Sequence, residues 1–175
     1  YHNAFNRNEA VMELPYFQYK DYSYWINKLS SAGFFAKEVQ FWKKRLEGKT
    51  TSIHIPTEQQ RPKKYLNTGK SEVFSIPLDT MSGLRRLAKE KNMTVFSVLL
   101  TFLKIVLRAY SHQDTITIGT PISGRVLPQL QDQVGYFLNA VPVLTTIKGD
   151  EFLDELLNIV SANISESYSH ANVSF

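Results

Sequence analysis

Residues 94–125, TVFSVLLTFLKIVLRAYSHQDTITIGTPISGR, place a long apolar helix directly before a short alternating strand. Thr94 is a residue type that caps helices, accepting a backbone N–H with its hydroxyl. From Val95 to about Tyr110, Val95, Phe96, Val98, Leu99, Phe102, Leu103, Ile105, Val106 and Leu107 cover nearly every face of the helix. A helix apolar all round is expected to lie between layers. Thr115–Gly119 alternates, continues to Pro121 and reaches a turn at Ser123, Gly124 and Arg125, the pattern of a strand with one buried face. A buried helix feeding a strand predicts an α/β chain.

The flanks agree. Tyr19, Tyr22 and Trp25 recur at three-residue steps over Gln18–Leu29, one face of a helix. Gly33 ends it, and Phe35, Val39, Trp42 and Leu46 mark a second helix over Phe34–Leu46, with Gly48 as its terminator. Thr50–Lys70, with Pro56, Pro62 and Gly69, reads as a crossing loop. Val73–Ile76 predicts a strand closed by Pro77. Asp79–Asn92 then predicts a helix buried through Leu84, Leu87 and Ala88. After a polar loop at Val126–Gln133, Gly135–Ile147 is extended, and Pro142 within it implies an edge, a bulge or a break. Glu151–Ser169 is an amphipathic helix with Phe152, Leu156, Ile159, Val160 and Ile164 on one side. Residues 1–14 are polar and irregular, and no internal repeat is present.

A length of 175 residues fits one domain or one lobe of a larger one. With 43% hydrophobic and 21% charged residues, the chain has material for a core, which excludes a disordered or low-complexity class. Cysteine is absent, so disulfides, thiolate zinc sites and a cysteine nucleophile are excluded together. The longest apolar run, near Thr94–Leu103, is too short to cross a bilayer and is followed by Lys104. No charged-then-apolar signal opens the chain, which begins at Tyr1 as a piece of a longer polypeptide would, and a cytoplasmic location is expected. The net charge of +4 is unevenly spread. Residues 1–70 hold 12 basic and 6 acidic side chains, residues 71–110 hold 6 and 3, and residues 111–175 hold 2 and 7. That is a dipolar surface rather than a polycation. Apolar residues interrupt the basic run at Lys43, Lys44 and Arg45, so nucleic acid is not an expected partner, whereas an acidic protein is compatible.

Reactive chemistry is sparse. His2 and His54 lie in irregular stretches, and His112 and His170 lie at helix ends, where surface or capping roles are expected. None has metal-ligand spacing to another histidine or carboxylate. Phosphate-cradling glycine motifs and the Gly-x-Ser-x-Gly elbow are missing, and the carboxylates are dispersed. Three Asn-x-Ser/Thr sites begin at Asn92, Asn163 and Asn172, but a chain without a secretory signal would not meet the glycosyl transferase. Composition and spacing alone disclose no reaction.

Order along the chain is more informative. The stretch from Gln18 to Trp25 resembles the Tyr-x-Asp-(Phe/Tyr)-x-x-Trp motif of condensation domains of nonribosomal peptide synthetases. Phe41, Trp42 and Leu46 resemble that family's Tyr-Trp-x-x-x-Leu helix, and Ile55-Pro56-Thr57 through Arg61-Pro62 its Leu-Pro-Thr-Asp-x-x-Arg-Pro loop. Tyr110–Asp114 is similar to Tyr-x-Gly-Gln-Asp, with His112 in place of the glycine. Gly119–Arg125 is similar to Gly-x-Pro-x-x-x-Arg. Val134–Ala140 resembles Ile/Val-Gly-x-Phe-Val-Asn-Thr, and His170–Phe175 resembles His-Gln-Asp-Val-Pro-Phe. The chain departs from these patterns at Ala140, Ala171, Asn172 and Ser174, which puts substrate details in question. The family's catalytic His-His-x-x-x-Asp-Gly does not occur in the 175 residues.

The resemblance implies an α/β fold: the C-terminal lobe of a two-lobed chloramphenicol-acetyltransferase-like architecture, a mixed sheet flanked by helices. Residues 1–14 would be a tail from the preceding lobe, and 15–175 the C-terminal lobe, truncated at its C-terminus. The function implied is amide-bond formation between acyl groups held as phosphopantetheine thioesters on carrier proteins. The catalytic motif would lie upstream in the sister lobe, leaving no catalytic residue in this chain, which would be inactive alone. No metal and no directly bound cofactor are expected. Expected partners are the N-terminal lobe, peptidyl carrier proteins and an adjacent adenylation domain, without membrane association. The uncovered lobe is expected to self-associate.

Among site residues, the resemblance assigns Arg125 to an ion pair supporting the catalytic motif across the lobes; a solvated arginine on a turn is the plain alternative. Asn139 would face the substrate channel, or be a satisfied strand amide. Gly135 and Phe137 would shape the channel wall, with plain core packing as the competing reading of Phe137. Tyr22 and Trp25 are expected in the core. Two other functions fit the same resemblance. One is a lobe of an epimerisation or heterocyclisation domain, and the other a non-catalytic docking module for carrier and adenylation domains.

Overall fold

The computed structural model describes residues 17–49, 52–57, 69–125 and 127–173. The expected tail at 1–14, His2, Arg61 and Pro62, and the last two residues of the His170–Phe175 segment lie outside these. Five α-helices and two strands follow in the order α1 (Tyr19–Ser31), α2 (Ala36–Leu46), α3 (Leu78–Glu90), α4 (Val95–Ser111), β1 (Thr115–Ser123), a 3-10 turn (Pro128–Leu130), β2 (Leu138–Thr146) and α5 (Leu153–Ser169).

Local chemistry accounts for the helix ends. The Asp21 carboxylate accepts the Gln18 N–H at 2.8 Å, so the acidic residue of the first motif closes the N-terminus of α1. Gly33 and Gly48 take the positive φ values of 76° and 66° that let the chain leave α1 and α2. Thr94 caps α4 as expected, its Oγ1 accepting from Ser97 N at 3.0 Å. His112 ends α4 in the left-handed region at φ 54° and is solvent-exposed, in keeping with a capping role.

β1 and β2 form an antiparallel pair over their full nine residues each, with Gly119 opposite Pro142. Pro142 therefore sits in an unbroken strand, one of two in the sheet among the described residues. One face of the pair carries Ile116, Ile118 and Thr120 with Val141, Val143 and Thr145, because side chains alternate along a strand. Leu100, Val143, Ile147, Leu156, Val160 and Ile164 form the main core, sealing α4 and α5 onto this face. Ala88, Val98 and Leu157 form a second cluster with Leu84 and Leu87 packed against it, as expected of the α3 face.

Three expectations are corrected. Val73–Ile76 forms no strand, with Val73 93% and Phe74 84% exposed; the residues favour one, but no described neighbour supplies the ladder. α4 is not buried on every side. It turns Ser97, Thr101 and Lys104 inward with Val98 and Leu100, and leaves Phe96, Phe102, Leu103 and Val106 exposed. Trp25 is 44% exposed rather than core, and α1 has no fully buried residue. No single helix among the described residues is long and apolar enough to cross a membrane.

Candidate functional site

Two turns meet where β1 ends and β2 begins. Ser123 pairs with Leu138 at the last rung of the ladder, and the Gly124 N–H donates to the Phe137 carbonyl at 2.7 Å. A Cβ on Gly124 would collide with that carbonyl, so glycine is required for the close approach. This join sets Arg125 beside Phe137. The guanidinium carbon lies 4.3 Å from the ring centroid, a cation–π contact, while Nη1 donates to the Leu130 and Gln131 carbonyls. The Gln131 side chain returns a bond to the Arg125 carbonyl at 3.2 Å. Arg125 is thus half-buried and held on a scaffold, not loose in solvent, and it has no carboxylate partner among the described residues.

Phe137 is buried and packs edge-on against Tyr19 at 5.1 Å and tilted against Tyr22 at 5.0 Å. Gly135 lies under the Tyr19 ring, where a Cβ would overlap ring carbons. The glycine and the phenylalanine of one motif thereby receive the two tyrosines of another, which explains why α1 sits here. Burial, with Tyr19 beside it, raises the Tyr22 phenol above its usual range.

Asn139 sits one residue inside β2. Its Nδ2 donates to the Ala171 carbonyl at 2.9 Å and the Val173 carbonyl at 2.8 Å, and its Oδ1 accepts from Ala140 N at 2.9 Å. Trp42 Nε1 donates to the His170 carbonyl at 2.8 Å, and the His170 imidazole stacks on Phe41 at 3.7 Å between centroids. The four residues singled out from the sequence therefore divide. Arg125, Gly135 and Phe137 form one aromatic cluster with Tyr19 and Tyr22, while Asn139 faces the stretch after α5.

Two further residues lay beyond the sequence reading. Gln113 holds the 52–57 segment by a paired contact, its Nε2 donating to Ser52 O at 3.1 Å and its Oε1 accepting from His54 N at 2.9 Å. Lys104 is fully buried under the sheet, and burial lowers its amine to about 7. A glutamine inside a named motif was a signal that its amide serves a fixed partner. A lysine on an otherwise apolar helix was equally visible as an anomaly. Among the described residues no group of three or more histidines and carboxylates is arranged to hold a metal.

Comparison with known proteins places this geometry. The family described as Condensation domain matches residues 2–175. Tyrocidine synthase 2 of Brevibacillus parabrevis is 30% identical over 158 residues, covering 90% of this chain and 4% of that protein. Surfactin synthase subunit 1 of Bacillus subtilis (strain 168) is 33% identical over 143 residues, covering 82% of this chain and 4% of that protein. The chain thus spans only a small part of the curated relatives it matches. Among solved structures, the four-domain nonribosomal peptide synthetase AB3403 superposes with a TM-score of 0.76 at 28% identity, covering 79% of this chain and 10% of that one. The X-domain from teicoplanin biosynthesis superposes with a TM-score of 0.88 at 19% identity, covering 94% and 38%, and shows the shared fold.

Proposed function

The chain belongs to the condensation-domain family, and from that membership we propose that it supplies one lobe of an amide-forming site in a nonribosomal peptide synthetase. The donor acyl group and the acceptor amine arrive as thioesters on the phosphopantetheine arms of carrier proteins. The acceptor nitrogen attacks the donor thioester carbonyl; the C–N bond forms, the C–S bond breaks, the thiolate leaves and the amine gives up a proton. A thioester is already activated, so orientation and shelter from water carry most of the work. The proton goes to a histidine of the His-His motif, which lies in the N-terminal lobe and not in these 175 residues.

The observation that carries this reading is the convergence of two motif segments at one end of the β1–β2 pair, joined by the Gly124–Phe137 bond. There Arg125 reaches toward the sister lobe to pair with the aspartate of the catalytic motif, keeping a guanidinium edge free beyond its bonds to Leu130 and Gln131. Gly135 and Phe137 shape the wall of the substrate channel, and Asn139 supports it. Carrier proteins and an adenylation domain are the partners in the parent synthetase. Taken alone, the chain is inactive and covers its exposed apolar helix face by self-association.

Reconstitution tests the reading. The full-length protein with its loaded carriers forms an amide product, and substituting the upstream histidine pair abolishes it. Stereochemical inversion of a carrier-bound residue without amide formation would overturn the assignment.

A further inference from the structure

The stretch after α5 is gripped by side chains through its main chain. Carbonyls at three of the four residues from 170 to 173 accept side-chain hydrogen bonds from distant elements. His170 O takes Trp42 Nε1 from α2 at 2.8 Å, and Ala171 O and Val173 O both take Asn139 Nδ2 from β2, at 2.9 and 2.8 Å. Phe41 adds a fourth contact by stacking on the His170 ring. The helix has ended at Ser169, so these carbonyls have no helical partner, and side-chain donors replace it.

Asn139 is fully engaged in the grip. Both hydrogens of its amide nitrogen are donated and its oxygen accepts from Ala140 N, leaving no donor for a substrate. We infer that Asn139 is a positioning residue that clamps the 170–173 segment to β2, and that it does not itself touch the substrate. This refines the proposed function, placing Asn139 behind the channel wall with the 170–173 segment in front of it.

The chemistry explains why this residue type is needed. One nitrogen must offer two hydrogens to two carbonyls two residues apart. Aspartate offers none when ionised, serine one, and glutamine sets its nitrogen a methylene too far. The clamp also reads carbonyls and ignores side chains. Ala171 and Asn172, which depart from the family's Gln-Asp, can therefore vary without loosening it.

Peptide-resolved hydrogen exchange on the full-length protein tests the clamp without requiring amide synthesis, so its failure is distinct from failure of the proposed function. Asn139→Ala and Asn139→Asp are expected to raise exchange over 170–173 by about tenfold or more while amides of β1 keep their protection. In Asn139→Asp, lowering the pH until the new carboxyl protonates restores one donor and part of the protection, which a general loss of packing would not do. Ala171→Gln with Asn172→Asp leaves protection unchanged. In the amide assay, Asn139→Ala and Trp42→Phe are expected to alter kcat and KM in the same ratio, because both act through one segment. Unchanged exchange over 170–173 in Asn139→Ala, or a kinetic effect of Asn139→Ala that Trp42→Phe does not share, would overturn the inference.

Discussion

Lys104 donates its ammonium to the Val143 carbonyl at 2.7 Å from a fully buried position, and a second bond at 2.9 Å reaches Ile116. One side chain of α4 therefore ties β2 to β1 from beneath the sheet. No carboxylate partners it among the described residues, so the amine is desolvated without compensation by an opposite charge.

That desolvation predicts a pH dependence with a definite sign. Burial lowers the folded amine from 10.5 to about 7, so between those values the unfolded chain binds the extra proton. Stability should rise as pH increases through this window, with a limiting slope of roughly 1.4 kcal/mol per pH unit from this group. Below about pH 7 both states are protonated, and the full cost of the buried charge applies. Denaturant midpoints from about pH 6 to about pH 9.5 for the wild type and Lys104→Met provide the check. The variant should lose the rise, and parallel pH profiles for the two proteins would contradict the assignment.

A second prediction concerns His112, which holds φ 54° at the end of α4 where the family motif has glycine. The left-handed conformation costs an L-residue about 1 kcal/mol relative to glycine, and the solvent-exposed imidazole gains no burial that offsets it. His112→Gly is expected to stabilise the protein by roughly 0.5–1 kcal/mol, raising Tm by about 1–4 °C for a chain of this size. Calorimetry showing a lower Tm would mean that the imidazole makes a stabilising contact.

Most of the fold could be read from periodicity and punctuation. The Thr94 cap, the glycines at 33 and 48, and the alternation at Thr115–Gly119 each act within a few residues. Where the reading failed, the cause was not local. Val73–Ile76 has strand chemistry, but a strand exists only when a second chain segment supplies its ladder. The apolar circumference of α4 does not reveal that Ser97, Thr101 and Lys104 face inward: the hydroxyls bond within one turn of their own helix, and the partners of Lys104 lie 12 and 39 residues away on the two strands. At the candidate site, motif order singled out Arg125, Gly135, Phe137 and Asn139. It could not show that Asn139 bonds across 32 and 34 residues to the stretch beyond α5.

Arg125 supports a third prediction, in the full-length enzyme. Its ring contact with Phe137 and its bond to Leu130 hold the side chain in place, so an inter-lobe carboxylate would meet a preorganised guanidinium. Arg125→Ala is expected to raise the barrier to amide formation by about 1–3 kcal/mol, a loss of roughly 5- to 150-fold in kcat/KM. Arg125→Lys should recover little, since an ammonium cannot present the planar fork. Wild-type turnover in Arg125→Ala would assign the residue to local scaffolding of the 3-10 turn alone.

The fourth prediction follows from the outward face of α4. Phe96, Phe102, Leu103, Val106 and Tyr110 are all exposed along it, and Val73, Phe74 and Leu78 add apolar surface before and at the start of α3. Contiguous apolar patches above a few hundred Å² are rare on monomers, because each buried Å² stabilises by about 25 cal/mol. The 175-residue chain on its own should therefore self-associate, as a two-fold dimer through this face or by exchange of the terminal helix α5. Two charged substitutions on the face, Leu103→Glu and Val106→Lys, distinguish the routes: they dissolve a dimer built on α4 and leave a helix-exchanged dimer intact. Light scattering over a concentration series reads the mass directly, and a single monomeric mass up to millimolar concentration would show that the exposed face has no affinity for itself.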